Sequence, residues 1–228
     1  IATFTKDLLT DCQKLLGSRV ACQVAAFNIS ALDTYEYPAE VAWEIDQHNT
    51  QQYRDLATNL NSDPDVIGVI LQHEYGIFGG EDGENILDFM EEVAKPVVVT
   101  LHTILPHPSE HLKLVTQKII SRADQVVVLT QSSQEMLVAL YPQAQGKISV
   151  ILHGIHPTVF TLTKSAKKKL KLKGHLVLTT FGLLSRGKGI EYVLQALPPV
   201  IKKYPDLLYL VLGETHPVVR RLEGEQYR

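Results

Sequence analysis

The sequence predicts an α/β protein, with a doubly wound parallel sheet over most of the chain and the first β-α-β unit of a second domain after it. Three observations carry this reading. Short runs rich in Val, Ile and Leu recur along the 228 residues and rarely alternate with polar residues, as strands buried on both faces of a parallel sheet do. Between the runs, apolar residues return at spacings of three and four, the period of amphipathic helices. The regular alternation of the two patterns is that of right-handed β-α-β crossovers.

The strand runs cover residues 20–27, 66–71, 97–101, 126–129, 148–152, 176–181 and 207–212. One helical face is formed by Ile86, Leu87, Met90, Val93 and Ala94, and another by Leu112, Val115, Ile119 and Ile120. Ser132-Ser133-Gln134-Glu135 has the form of a capping box opening a further helix. Ile190, Val193, Leu194 and Leu197 make the last periodic face, which Pro198-Pro199 should kink or end. No internal repeat of fixed period is evident. Residues 157–174 break the alternation, with no long apolar run and six lysines between Lys164 and Lys173. They read either as a solvated helix or linker, or as a basic surface beside an anionic ligand. The expected division is a domain at 1–156, a basic linker at 157–174 and the start of a second domain at 175–228, too small to hold a normal core by itself.

Composition excludes several classes. With 45% apolar and 21% charged residues the chain can bury a sizeable core, so intrinsic disorder is not expected. No stretch approaches 18 apolar residues, which excludes a transmembrane helix and leaves only peripheral membrane contact open. A net charge of −3 argues against a general nucleic-acid binder. Cys12 and Cys22 are too few for a disulfide framework or a four-cysteine zinc site and read as thiols of a reducing, cytoplasmic compartment. The chain starts with Ile and shows no signal-peptide pattern in its first four residues; a start inside a longer protein, with a lost leader, stays open.

Two glycine-rich loops carry opposite charge. Phe181-Gly182-Leu183-Leu184-Ser185-Arg186-Gly187-Lys188-Gly189 follows a strand and opens a helix. Glycines let backbone approach a ligand, a helix start offers unpaired N–H groups, and Arg186 and Lys188 add positive charge, so a phosphate suits this place. The bland reading is a glycine-rich turn with solvated cations. The spacing nearly spells a P-loop, but Gly189 stands where that motif needs the Ser or Thr that holds Mg²⁺. The second loop, Gly79-Gly80-Glu81-Asp82-Gly83-Glu84, has three acids and no base. Its carboxylates would repel a phosphate and suit sugar hydroxyls, or else favour the start of the following helix.

Ligands of open α/β sheets bind outside the carboxyl ends of the strands. His73, His102 and His153 each follow an apolar run, and Glu74 follows His73, so these residues are candidates for one cleft or for ordinary structural histidines. A metal reading is weaker: His107 and His111 are four apart, but Pro108 intervenes and places His107 before the helix, and no HExxH is present. No metal site is expected. The G-x-S-x-G elbow and the G-x-G-x-x-G fingerprint are also absent.

Four segments in order, residues 97–103, 122–130, 150–155 and 180–191, resemble glycosyltransferase family 4. Val97-Val98-Val99-Thr100-Leu101-His102-Thr103 resembles a family strand ending in histidine. Arg122-Ala123-Asp124-Gln125-Val126-Val127-Val128-Leu129-Thr130 is similar to the ADAVIVVS strand. Val150-Ile151-Leu152-His153-Gly154-Ile155 is similar to VIPNGVD, and Thr180-Phe181-Gly182-Leu183-Leu184 with Lys188-Gly189-Ile190-Glu191 to VGRL…KGID. The resemblance implies the GT-B fold, two Rossmann-like domains facing across a cleft. It implies retaining transfer of a hexosyl group from a nucleotide-sugar to an acceptor hydroxyl, with the nucleotide-sugar as substrate and no cofactor or metal. Gly182, Arg186, Lys188 and Gly189 would then hold the donor diphosphate, His102 would line the cleft beside the transferred sugar, and His73, Glu74 and His153 would lie on the acceptor or sugar side. The family's arginine after the loop glycine is Leu183 here, and Arg186 is the candidate replacement. Ile1-Ala2-Thr3-Phe4 reads as the helix after the family's first glycine loop, and the chain ends at Arg228 before an E-x7-E region. The sequence therefore reads as a fragment, inactive alone. Two other readings stay open, a non-catalytic sugar- or nucleotide-binding module and a P-loop-like NTPase.

Overall fold

The computed structural model describes residues 1–29 and 35–227. Arg228, the end of the expected second domain, lies outside the described residues. The fold is mixed α/β and Rossmann-like, and every strand pairing among the described residues is parallel. The chain divides into two compact units, Ile1–Ile155 and His156–Arg228.

In chain order the first unit holds α1 (Ala2–Leu16), β1 (Val24–Asn28), β2 (Val41–Asp46), α2 (Thr50–Ser62), β3 (Val69–His73) and α3 (Ile86–Glu92). There follow β4 (Val97–Leu101), α4 (Glu110–Arg122), β5 (Gln125–Val128), α5 (Gln131–Leu140) and β6 (Ile148–Val150). β1 pairs with β2, and β3-β4-β5-β6 form a four-stranded sheet whose order follows the chain. The core is where the sheet's valines meet the helical apolar faces. Val97, Val99, Val126 and Val128 are buried together with Tyr53 and Leu56 of α2, Phe89 and Met90 of α3, and Val115, Ile119 and Ile120 of α4. Burying such side chains contributes about 1.5–3 kcal/mol each, which offsets the cost of ordering the crossovers.

Polar contacts fix where these elements begin. Ser109 Oγ accepts the Leu112 N–H at 3.1 Å and caps α4. Asp124 Oδ2 accepts the Val97 N–H at 2.7 Å, tying the start of β4 to the turn before β5. The Lys147 ammonium donates to the carbonyls of Ile120 and Ala123, the end of α4.

The structure corrects the sequence reading in several places. β2 and α2 were not expected: Glu44 and Asp46 interrupt the apolar pattern of β2, and only Ile45 of that strand is buried. α5 starts earlier than the Ser132–Glu135 box. Its cap is Thr130, whose Oγ1 accepts the Ser133 N–H at 3.0 Å. β3 runs on to His73, beyond the apolar run that suggested it.

The second unit has α6 (Thr163–Lys169), β7 (Leu176–Phe181), α7 (Ile190–Lys203), β8 (Leu207–Leu212) and α8 (Pro217–Glu223). β7 and β8 pair in parallel from Leu176↔Leu207 to Phe181↔Leu212, with α7 as the crossover. Pro198 and Pro199 do not end α7, which continues to Lys203. Both prolines are exposed, so water can satisfy the carbonyls they leave unbonded.

A single carbonyl organises the loops beside β2 and β3. Gln47 O accepts from the Gly79 N–H at 3.1 Å, from Asn85 Nδ2 at 2.9 Å and from the buried Tyr53 hydroxyl at 3.0 Å. A Cβ on Gly79 would lie 2.0 Å from that oxygen. Gly79→Ala should therefore destabilise the protein by about 2 kcal/mol or more in denaturant unfolding, because backbone must move to admit the methyl. Gly76 has no atom within 4 Å of its Cβ position, and Gly76→Ala should stay within about 0.5 kcal/mol of wild type. Equal effects of the two substitutions would refute this packing argument.

Candidate functional site

β3 and β4 pair in register, with Gln72 beside Thr100 and His73 beside Leu101. The pairing continues one step further, where the His102 N–H donates to His73 O at 3.1 Å. Residues that the sequence separates by about thirty positions thus meet at the carboxyl ends of two adjacent strands. His102 Nε2 lies 2.8 Å from Gln72 Oε1, and Thr103 Oγ1 donates to Glu74 Oε2 at 2.6 Å. The other Glu74 oxygen accepts the Tyr75 N–H at 3.2 Å. Phe4, in the first turn of α1, places its ring at right angles to His102 with centroids 4.8 Å apart, and 5.2 Å from the ring of His153. His153 follows β6, is exposed, and bonds Gly154 O through Nδ1 at 2.8 Å.

Burial holds the His102 pKa below the usual histidine value, against the opposing pull of the Glu74 carboxylate. The ring is therefore neutral near pH 7. With the Gln72 carbonyl facing it, Nε2 carries the proton and Nδ1 keeps its lone pair, so His102 can accept a hydrogen bond from a hydroxyl.

His73 turns the other way. It is wholly shielded from solvent, edge-on to Tyr75 at 4.8 Å and stacked near Phe78 at 5.5 Å, and neither ring nitrogen has a partner among the described residues. It is a core residue, not part of the strand-end surface. Tyr75 anchors this wall through its hydroxyl, 2.7 Å from Thr116 Oγ1, which itself donates to Leu112 O.

The acidic loop is built by its own contacts. Gly83 is needed because a Cβ there would lie 2.5 Å from Tyr75 O, and its φ of 76° is left-handed. His111, in the first turn of α4, sits between two of the acids, with Nδ1 3.1 Å from Asp82 and Nε2 3.1 Å from Glu84. Ser109 Oγ donates to the same Asp82 oxygen at 3.3 Å. A neutral imidazole has one N–H and can serve one carboxylate; both contacts are satisfied together only by an imidazolium. Accordingly the His111 pKa is raised, first by Asp82 and then by Glu84 and Glu81. Among the described residues, Glu81, Asp82 and His111 also bring three potential ligand atoms within 4.8 Å of one another. His107 takes no part in that group.

In the second unit the basic loop has a different logic. Gly182 has φ 123°, and its carbonyl passes so close to Gly213 that a Cβ on Gly213 would lie 1.8 Å away. Gly189 is left-handed, with φ 61°, and forms the N-cap of α7. The Lys188 ammonium lies 3.5 Å from where a Gly182 Cβ would be and has no hydrogen-bond or ion-pair partner among the described residues. Arg186 is engaged elsewhere: its guanidinium bonds Glu223 at 3.1 Å and lies 5.6 Å over the ring of Tyr227, whose hydroxyl donates to Glu191 at 2.7 Å.

The structure thus brings together His102 and Glu74 near His153 in the first unit, and Gly182, Lys188 and Gly189 in the second. Phe4, Gln72 and Thr103 were not anticipated. Gln72 and Thr103 adjoin expected histidines in sequence, but only the β3–β4 register turns that adjacency into contact.

The two histidines with opposite shifts give opposite pH effects. Burial, assisted by His102, lowers the His73 pKa from 6.5 to about 4. The unfolded chain therefore binds a proton between these values that the folded chain refuses. As pH falls through this window the protein should lose about 3 kcal/mol of stability from this group, and His73→Leu should flatten that slope in urea titrations at several pH values. The same slope in wild type and variant would remove His73 as the cause. His111 acts in the reverse sense. Its stabilising effect is full below the ordinary pKa of 6.5 and is lost as pH climbs through the raised value. His111→Gln should abolish the decline in melting temperature as pH rises from 6.5 through the raised value, and an unaltered profile would disprove the imidazolium assignment.

No protein-family model matches the chain. Three known proteins are similar to parts of it. D-inositol 3-phosphate glycosyltransferase of Corynebacterium kroppenstedtii is 30% identical over 129 residues, 49% of this chain and 28% of that protein. An uncharacterized glycosyltransferase of Methanocaldococcus jannaschii is 25% identical over 87 residues, 35% of this chain and 22% of that protein. Spore coat protein SA of Bacillus subtilis is 25% identical over 103 residues, 41% of this chain and 27% of that protein. The chain thus matches less than a third of the length of each, and the likeness supports a glycosyltransferase family.

Proposed function

We propose that the chain is part of a retaining, family 4 type glycosyltransferase of the GT-B fold, acting in the cytoplasm on a nucleotide-sugar donor and a hydroxyl acceptor without a further cofactor. The observation that carries this reading is the unpaired Lys188 ammonium beside Gly182, at the carboxyl end of β7 and just before α7. A diphosphate placed there meets a full positive charge and a glycine whose missing Cβ leaves room. The similarity to glycosyltransferases supports the same reading.

In this proposal the bond between the sugar's anomeric carbon and the diphosphate oxygen breaks, and its electron pair leaves with the diphosphate. Lys188 stabilises that charge. The acceptor oxygen bonds to the same face of the anomeric carbon, and its proton passes to the departing phosphate. His102 Nδ1 accepts a hydrogen bond from a donor-sugar hydroxyl, and Gln72 and Phe4 hold its ring for that task. Glu74 and His153 face the acceptor. His73 supports the strand end from behind. Arg186, held by Glu223 and Tyr227, contributes to loop shape rather than to the diphosphate contact.

Isothermal calorimetry of uridine and guanosine diphosphate binding tests the assignment. Lys188→Ala should weaken binding by roughly 10–150-fold, the equivalent of about 1.5–3 kcal/mol for one charge-assisted contact. Arg186→Ala should weaken it far less. An affinity unchanged by Lys188→Ala would sink the proposal, and a dominant effect of Arg186 would reassign the contact.

A further inference from the structure

Between Glu135 and Glu191 the sequence has no acidic residue, yet it holds eight lysines and one arginine in a chain whose net charge is −3. Six of those lysines are Lys164, Lys167, Lys168, Lys169, Lys171 and Lys173, on and just after α6. Lys167 donates to His175 O at 2.7 Å, while the other five are exposed. Large apolar side chains flank them in the open. Val159 is 92% exposed, Phe160 85%, Leu162 64% and Leu170 67%. An ordinary solvated linker shows the first feature without the second. Single exposed apolar residues need no explanation, but four of them alongside an acid-free lysine cluster do.

We propose that residues 159–173 dock on the surface of an anionic lipid bilayer. The lysines would lie among the acidic headgroups, and Val159, Phe160, Leu162 and Leu170 would enter the boundary with the acyl chains. This pairing of a basic segment with exposed apolar residues is the two-part signal that interfacial attachment needs, since neither part alone holds a protein at a membrane. No helix among the described residues is long and apolar enough to cross a bilayer, so attachment would be to the surface. Nucleic acid fits less well. Its bases call for stacking platforms, and Phe160 is the one aromatic residue between 159 and 173, whereas three aliphatic residues are exposed. The proposal does not depend on the sugar-transfer reading.

Co-sedimentation of the 228-residue chain with vesicles tests it. One set is phosphatidylcholine alone, and the other contains about 30% phosphatidylglycerol to provide the negative surface. The chain should pellet with the second set only and be released as salt rises from about 0.1 to 0.5 M. Replacing Lys164, Lys168 and Lys169 by Gln together should weaken binding on the order of 100-fold, at about five-fold for each lysine. Phe160→Ser should weaken it by roughly ten-fold and leave the salt dependence intact. All four residues are exposed, and circular dichroism checks that the variants fold as wild type does. Absence of pelleting, equal pelleting with neutral vesicles, or an unaffected triple-lysine variant overturns the proposal. So does polyuridylate that binds the chain at salt concentrations releasing the vesicles, which would mark the segment as a nucleic-acid surface.

Discussion

The register between β3 and β4 is the constraint on which the candidate site rests. A parallel pair offset by one residue would turn every side chain of β3 to the opposite face. As paired, Gln72 reaches His102, Glu74 reaches Thr103, and His73 goes into the wall made by Tyr75 and Phe78. Three supports hold that register: Val97 and Val99 in the core, the Asp124 carboxylate at the first N–H of β4, and the His102 N–H on His73 O at its end. The polar residues at the strand ends are therefore arranged by apolar packing several residues away.

The two glycine loops show that one residue type can answer to different demands. In the acidic loop, Gly79 and Gly83 are needed because other backbone presses against them. The acids there find their counter-charge in His111, so the loop is closed on itself by a cation from α4. In the basic loop, Gly189 supplies a left-handed turn into α7, while Gly182 leaves space under an unpaired ammonium. Chemistry directed outward is thus expected of the second loop, and structural duty of the first.

This contrast explains how much could be read from the amino acids. Residues 97–101, 176–181 and 207–212 were recognisable as strands to the residue, because continuous aliphatic runs have few other uses. β2 was hidden, since an edge-like pattern with Glu44 and Asp46 does not read as buried. Among the histidines, the text of the chain shows only that His73 and His102 follow apolar runs. His73 is still the last residue of its strand, whereas His102 is the first residue past its own, and that difference sends one ring inward and leaves the other half-buried at the surface. The partners Gln72, Phe4 and Thr103 depend on pairing across strands and on where α1 begins, which local periodicity does not encode. His111 was legible as a histidine near a helix start, but its two carboxylates come from a loop 27 and 29 positions away.

The second unit has few interior side chains of its own: among the described residues only Leu184 and Thr215 are buried there, and Leu176, Leu178, Phe181 and Leu212 of its two strands stay open. The buried core of the first unit, Ile45 to Ala144, precedes the second unit in the chain, so on a ribosome it can pack before β7 and β8 emerge. Among the described residues, the β7–β8 pair that follows carries uncovered aliphatic faces, a feature that attracts other chains. Residues 176–212 are thus a stretch that chaperones would be expected to shield as they leave the ribosome.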